Sequence, residues 1–139
     1  MAEDNPNVAA LKKTYERWQS CKGLDTSCWD EIMADHIRLR SVAEETPGLQ
    51  FAKDRVSKQE MAAYFSALTD AWEMVHWTPE TYVADGDCVA MFGRCAWKFK
   101  ATGKTADVRA AHLVRFENGK IAEFTEIFDS ARAAAATMG

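Results

Sequence analysis

His112 and Glu126 are the side chains in this 139-residue chain best placed to move a proton. An imidazole and a carboxyl some ~5–8 Å apart, one diagonal step across a hairpin, can bond directly, through water or through a substrate. In an apolar wall, desolvation raises the carboxyl pKa and lowers that of the imidazole, while their mutual attraction opposes both shifts. Either group can then serve as acid or base near neutrality. The alternative is structural: His112 as a satisfied core histidine, with Glu126 at the rim of the sheet or paired with Arg94.

The hairpin that carries them is Val108–Phe116, a Glu117-Asn118-Gly119-Lys120 turn and Ile121–Asp129. Gly119 in the left-handed position after a type I turn predicts a three-residue loop with a one-residue bulge. Phe116 then faces Lys120, Val114 faces Ala122, His112 faces Phe124 and Ala110 faces Glu126. Side chains alternate along a strand, so His112, Val114, Phe124, Glu126 and Phe128 share one face. A two-residue Asn-Gly turn would shift the register by one and group His112 with Thr125 and Asp129 instead.

Two further side chains bear on this chemistry. Tyr15 sits on an apolar helical stripe, where a buried hydroxyl must find a partner. Arg94, in Val89–Trp97, needs a partner if it points inward, because an isolated buried charge is very costly. That partner is Glu126 or a ligand carbonyl or anion; pointing outward, Arg94 is a surface or dimer residue. Trp18, Trp72, Trp77, Phe124 and Phe128 read as core or pocket wall, suited to holding a hydrophobic ligand.

Ahead of the hairpin, Asn5 and Pro6 open a first helix with Val8, Leu11, Tyr15 and Trp18 along one stripe. A short helix opens at Thr26 or Ser27, and Ile37–Val42 reads as a strand. Ala43–Arg55 is a loop. Ser57 and Glu60 form a capping box for a third helix carrying Met61, Tyr64, Phe65, Leu68 and Trp72. After Pro79 the pattern alternates: Glu80–Ala84 or slightly earlier, Cys88–Lys100, then the hairpin. Ala131–Met138 is helical or frayed. Helices followed by a meander predict an α+β cone, with three N-terminal helices on a strongly curved antiparallel sheet enclosing a pocket.

Composition narrows the class. At 47% hydrophobic, with five Trp and seven Phe, residues 1–139 read as a single folded domain. A net charge of -4 with scattered basic residues disfavours nucleic acid. No run approaches the roughly 18 apolar residues of a membrane span, and the acidic start Met1-Ala2-Glu3-Asp4-Asn5 is unlike a signal peptide, so a cytoplasmic protein is expected. Cys21, Cys28, Cys88 and Cys95 lack zinc or disulfide spacing and read as free, mostly buried thiols. There is no HExxH, phosphate-binding glycine loop, dinucleotide fingerprint or Gly-x-Ser-x-Gly elbow, so no metal or cofactor is implied.

Tyr15-Glu16-Arg17-Trp18, Trp29–His36, Phe116–Ile121 and Glu126–Asp129 resemble segments of the nuclear transport factor 2-like superfamily. The nearest-looking branches are ketosteroid isomerases, SnoaL-like polyketide cyclases and limonene epoxide hydrolases. The resemblance runs from about Val8 to Asp129 and implies a cone with a deep pocket, commonly dimeric through its outer sheet face. It places Tyr15 at the isomerases' oxyanion-hole tyrosine and His112 at their protonated aspartic acid, or at the cyclases' pocket histidine. Glu126 falls at the catalytic aspartate of the cyclases and epoxide hydrolases, and Arg94 at the epoxide hydrolases' arginine. Ser41 stands where the isomerases have their shuttling aspartate, and Ala96 where the epoxide hydrolases have a second aspartate.

The resulting expectation is a cofactor-independent lyase or isomerase that abstracts a proton next to a carbonyl of a hydrophobic cyclic substrate. Glu126 or His112 is the base, and Tyr15 or Arg94 steadies the oxyanion. The alternatives are a water-activating hydrolase using Glu126 and Arg94, or a ligand-binding domain without chemistry. Apolar groups on both faces of Cys88–Phe99 predict a homodimer.

Overall fold

The computed structural model describes residues 5–139. Its elements run α1 (Pro6–Ser20), α2 (Ser27–Asp30), β1 (Met33–Ser41), α3 (Lys58–Ala71), β2 (Trp72–Asp85), β3 (Cys88–Phe99), β4 (Thr105–Glu117), β5 (Lys120–Phe128) and α4 (Ser130–Ala136). The strands form one five-stranded sheet in the order β1-β5-β4-β3-β2. This is the expected α+β architecture with one amendment. The sheet is mostly rather than wholly antiparallel, because β1 returns alongside β5 in parallel. The Ala-rich tail, expected to be helical or frayed, forms a fourth helix with Asp129 as its N-cap.

Local chemistry starts each helix. The Asn5 side chain accepts from the backbone N–H groups of Asn7 and Val8, and Pro6 opens α1. Ser57 caps α3 by accepting from Glu60 N–H, and the Glu60 carboxylate reaches back to Val56 N–H, one residue beyond the reciprocal bond of an ideal box. Trp72, expected on the stripe of α3, is instead the first residue of β2, which starts eight positions before Glu80. Trp72 and Met74 are buried and alternate with exposed Glu73 and Val75, and the bulge before His76 resets the phase so that Trp77 is buried too; the strand pattern thus overlaps the end of the helical one.

The β4–β5 hairpin is built differently from the expected loop. Asn118 (φ 52°) and Gly119 (φ 78°) are both left-handed, the signature of a two-residue type I′ turn, and Glu117 pairs with Lys120. Alone, that turn would put Glu126 on the wrong face. A bulge repairs the phase: Phe116 pairs with Ile121 but Arg115 pairs with Glu123, leaving Ala122 as the extra residue. The pairing beyond it is Val114 with Phe124 and His112 with Glu126, not His112 with Phe124. His112, Phe124 and Glu126 are therefore buried on one face, while Leu113 is exposed on the other.

Bulges also bend β2 against β3, between Met74 and His76 and between Pro79 and Thr81. At the second bend the strands close so tightly that a Cβ on Gly93 would lie 2.5 Å from the Thr78 carbonyl oxygen. The curled sheet wraps a core shared with α1 and α3, including Leu11, Tyr15, Trp18, Met61, Phe65 and Leu68.

Candidate functional site

Between helices and sheet lies a cavity of about 100 Å³. An apolar cavity of roughly 150 Å³ admits one benzene ring, so the space as it stands is smaller than that of a single ring and does not hold a polycyclic ligand. All five residues expected to form its wall, Trp18, Trp72, Trp77, Phe124 and Phe128, line it. So do His112 and Glu126, its two ionisable side chains apart from Tyr64 and Cys95. The Cys95 thiol is pushed up to about 12 by burial, so it stays protonated and a poor nucleophile.

Arg94 is not at this site. In β3 the inward positions are Val89, Met91 and Cys95, which leaves Arg94 exposed on the outer face, 4.0 Å from Asp107. Alternation decides this: Arg94 shares parity with Phe92, and both point away from the helices. The epoxide hydrolase-like pairing of Arg94 with Glu126 is thereby lost.

His112 and Glu126 face each other across the β4–β5 pair, yet each bonds to partners of its own. Tyr15 Oη lies 2.6 Å from His112 Nδ1, the one polar contact of that hydroxyl among the described residues. A buried O–H that did not donate here would go unsatisfied, so Tyr15 donates to Nδ1. His112 therefore carries its proton on Nε2, which faces no protein partner among the described residues. Burial depresses the imidazole pKa from 6.5 to about 3, so the ring is neutral at physiological pH. Tyr15 itself is not a lining residue; it stands behind His112 and sets its tautomer.

Glu126 accepts from two hydroxyls. Tyr64 Oη donates to Oε1, and Ser41 Oγ donates to Oε2 at 2.7 Å. The Ser41 hydroxyl is oriented for this because its oxygen accepts from Ala43 N–H at 3.2 Å. Burial raises the Glu126 pKa, and the Tyr64 and Ser41 hydrogen bonds oppose that rise. Both phenols are held well above 10 by burial and remain protonated donors. Tyr64 was not singled out from the sequence, although its place on the buried stripe of α3 carried the same partner requirement as Tyr15. In the sequence Ser41 stands out only for lacking a carboxylate; in the fold it pairs with Glu126 in register and bonds to it.

The family model for the SnoaL-like domain matches residues 11–124. The chain belongs to the SnoaL-like family. No curated protein matches it by sequence. Among solved structures, an NTF2-like protein of unknown function from Burkholderia pseudomallei is 17% identical with a TM-score of 0.82, covering 97% of this chain and 99% of that one. An NTF2-like protein from Burkholderia thailandensis is 24% identical with a TM-score of 0.78, covering 96% and 95%. TerC, co-crystallised with polyporic acid, is 16% identical with a TM-score of 0.79, covering 96% and 98%. These likenesses establish the NTF2-like fold. No helix is long and apolar enough to cross a membrane among the described residues, and none of their His, Cys, Asp and Glu side chains form a group of three that could hold a metal.

Burial of His112 fixes the sign of one pH effect. Its folded pKa lies below its unfolded value, so between pH 6.5 and about 3 the unfolded chain binds the extra proton. Stability should fall on acidification through that window, by up to ~1.4 kcal/mol per pH unit from this group. Glu126, raised by burial, acts oppositely: its contribution is full below the unfolded value and is lost as pH rises through its folded pKa. Urea unfolding of wild type and His112→Gln isolates the histidine, and the difference between them should shrink from pH 7 to pH 4. Parallel curves would mean that His112 titrates normally.

Proposed function

We propose that this SnoaL-like protein is a cofactor-independent isomerase or lyase that transfers a proton next to the carbonyl of a small, hydrophobic cyclic substrate. One observation carries the reading: a cavity wall otherwise apolar presents an N–H donor on His112 beside the carboxylate of Glu126, each held from behind by hydroxyls. Those hydroxyls divide the roles. Glu126, acceptor to two O–H groups and raised in pKa by burial, is the base. His112, neutral with Nε2–H toward the cavity, is the oxyanion donor and not a base.

Glu126 takes the proton from the carbon next to the carbonyl. The C–H electron pair becomes the C=C bond of an enolate, whose oxygen accepts from His112 Nε2–H. Glu126, now the acid, returns the proton at a second carbon or to a leaving group. The carboxylate missing at Ser41 is thus supplied from the adjacent strand at the paired position, with Ser41 as its hydrogen-bond donor. TerC's co-crystallisation with polyporic acid adds support for a small-molecule ligand on this scaffold. The four free thiols fit the reducing, cytoplasmic setting expected from the sequence.

The test is hydrogen–deuterium exchange at the α-carbon of ring ketones in D₂O, followed by NMR. Glu126→Gln and His112→Gln should each lose about 10²–10⁴ in exchange rate. The double variant should lose little more than the worse single one. Tight ketone binding without exchange in wild type would instead make the protein a binding domain.

We also propose a two-fold dimer through the outer sheet face. Val83, Phe92, Leu113 and Ile127 are each about half exposed there, at 54, 50, 51 and 51%. Phe92, Ala111 and Ile127 are successive cross-strand partners, as are Val83, Ala90 and Leu113, so the patch is continuous. Arg115 and Glu123, paired at 2.5 Å, lie on its margin. Sedimentation at micromolar concentration should give a dimer, and Phe92→Lys with Leu113→Lys a monomer; a wild-type monomer would refute the proposal.

A further inference from the structure

Two thiols that the chemistry above does not use converge on one backbone oxygen. Cys21 is the C-cap of α1, and Cys28 lies in the first turn of α2. Cys21 Sγ is 3.5 Å from the Asp25 carbonyl oxygen, and Cys28 Sγ is 3.7 Å from the same atom. The two S–H groups thus share a single acceptor. Their spacing in the sequence carries no disulfide signature; the turn from α1 into α2 brings them together. Within that turn Lys22 (φ 53°) and Gly23 (φ 75°) are left-handed, and residues 24–26 belong to no helix or strand. The segment between the thiols can therefore adjust without breaking a regular element.

The two sulfurs differ in access. Cys21 is half-buried and its contact with Asp25 lies at the surface, whereas Cys28 is only 2% exposed. Burial, and then the neighbouring Cys21, push the Cys28 thiol up to about 11, so it is protonated at neutral pH. A small oxidant meets Cys21 first, and Cys28 stands behind it.

We propose that Cys21 and Cys28 form a reversible disulfide when the protein meets hydrogen peroxide, and that this bond alters the cavity wall. Cys21, as its thiolate, attacks one peroxide oxygen. The O–O bond breaks, leaving a sulfenic acid and a hydroxide that takes up the proton Cys21 released. Cys28 then attacks the Cys21 sulfur. The S–S bond forms, the S–O bond breaks, and the hydroxyl departs as water with the Cys28 proton. Two thiols are oxidised while one peroxide is reduced to two waters, and a dithiol reductant reverses the bond.

The link to the cavity is direct. Trp29, next to Cys28 in the chain, lines it and packs edge-on to Tyr15 at 5.5 Å. A Cβ on Gly23 would lie 3.3 Å from Trp97 and 3.5 Å from Trp18, which also line it. Drawing the sulfurs together pulls on both contacts. None of this depends on the proton-transfer reading.

The test treats the full chain with hydrogen peroxide, alkylates the remaining thiols and digests with trypsin without reduction. Trypsin cuts after Lys22, so the disulfide should hold peptides 18–22 and 23–38 together as one species, two hydrogens lighter than the pair. Dithiothreitol should separate them, and both Cys21→Ser and Cys28→Ala should lose the linked species. An unlinked wild type would overturn the proposal, whether Cys21 is untouched or carried to a sulfenic or higher acid. So would a link to Cys88, to Cys95 or to a second chain. In ¹H–¹⁵N spectra the Trp29 indole N–H should shift on oxidation, return on reduction and stay still in Cys21→Ser. A linked peptide with the signals of Trp18, Trp29 and His112 unmoved would overturn the effect on the cavity.

Discussion

Taking an imidazole and a carboxylate out of water in the same apolar wall is costly, and the rest of the molecule is arranged around that cost. His112 meets it by becoming neutral, with Tyr15 on Nδ1. Glu126 meets it with two hydroxyl donors. The three hydroxyls come from three separate elements: Tyr15 from α1, Ser41 from β1 and Tyr64 from α3. Each of those elements must therefore dock in register for the pair on β4 and β5 to be tolerated. The site and the fold share one set of contacts.

Phase along the last hairpin is the second requirement. A type I′ turn followed by a bulge at Ala122 gives the same outcome as a longer loop, with His112, Phe124 and Glu126 all inward. The parallel return of β1 beside β5 then sets Ser41 opposite Glu126. A meander alone would not bring those two together. Curvature from the bulges in β2 opens the space in which an N–H donor and a carboxylate can face one substrate.

Much of this was legible in the chain because it rests on local periodicity. The Asn5 and Ser57 caps, the helical stripes and the alternation in β3 and β4 are short-range patterns that tertiary packing leaves intact. Alternation along β5 also grouped Phe124 and Phe128 with His112 and Glu126, and the stripe of α1 placed Trp18. What was not legible depends on longer-range facts. Whether Gly119 closes a two- or three-residue loop depends on a bulge at Ala122 that has no distinctive residue type to announce it. Arg94 could be assigned to a face only once it was known which face of β3 meets the helices. The Tyr64–Glu126 bond joins residues 62 positions apart, and no spacing rule connects them.

The central claim is that Tyr15 donates to His112 and leaves its ring proton on Nε2. Long-range ¹H–¹⁵N correlation spectra of the imidazole report this directly, since protonated and unprotonated ring nitrogens resonate far apart. Between pH 5 and 8 the His112 spectrum should show a protonated Nε2 and a bare Nδ1, with no titration. A proton on Nδ1, or an imidazolium forming near pH 6.5, would contradict the assignment of His112 as oxyanion donor and Glu126 as base.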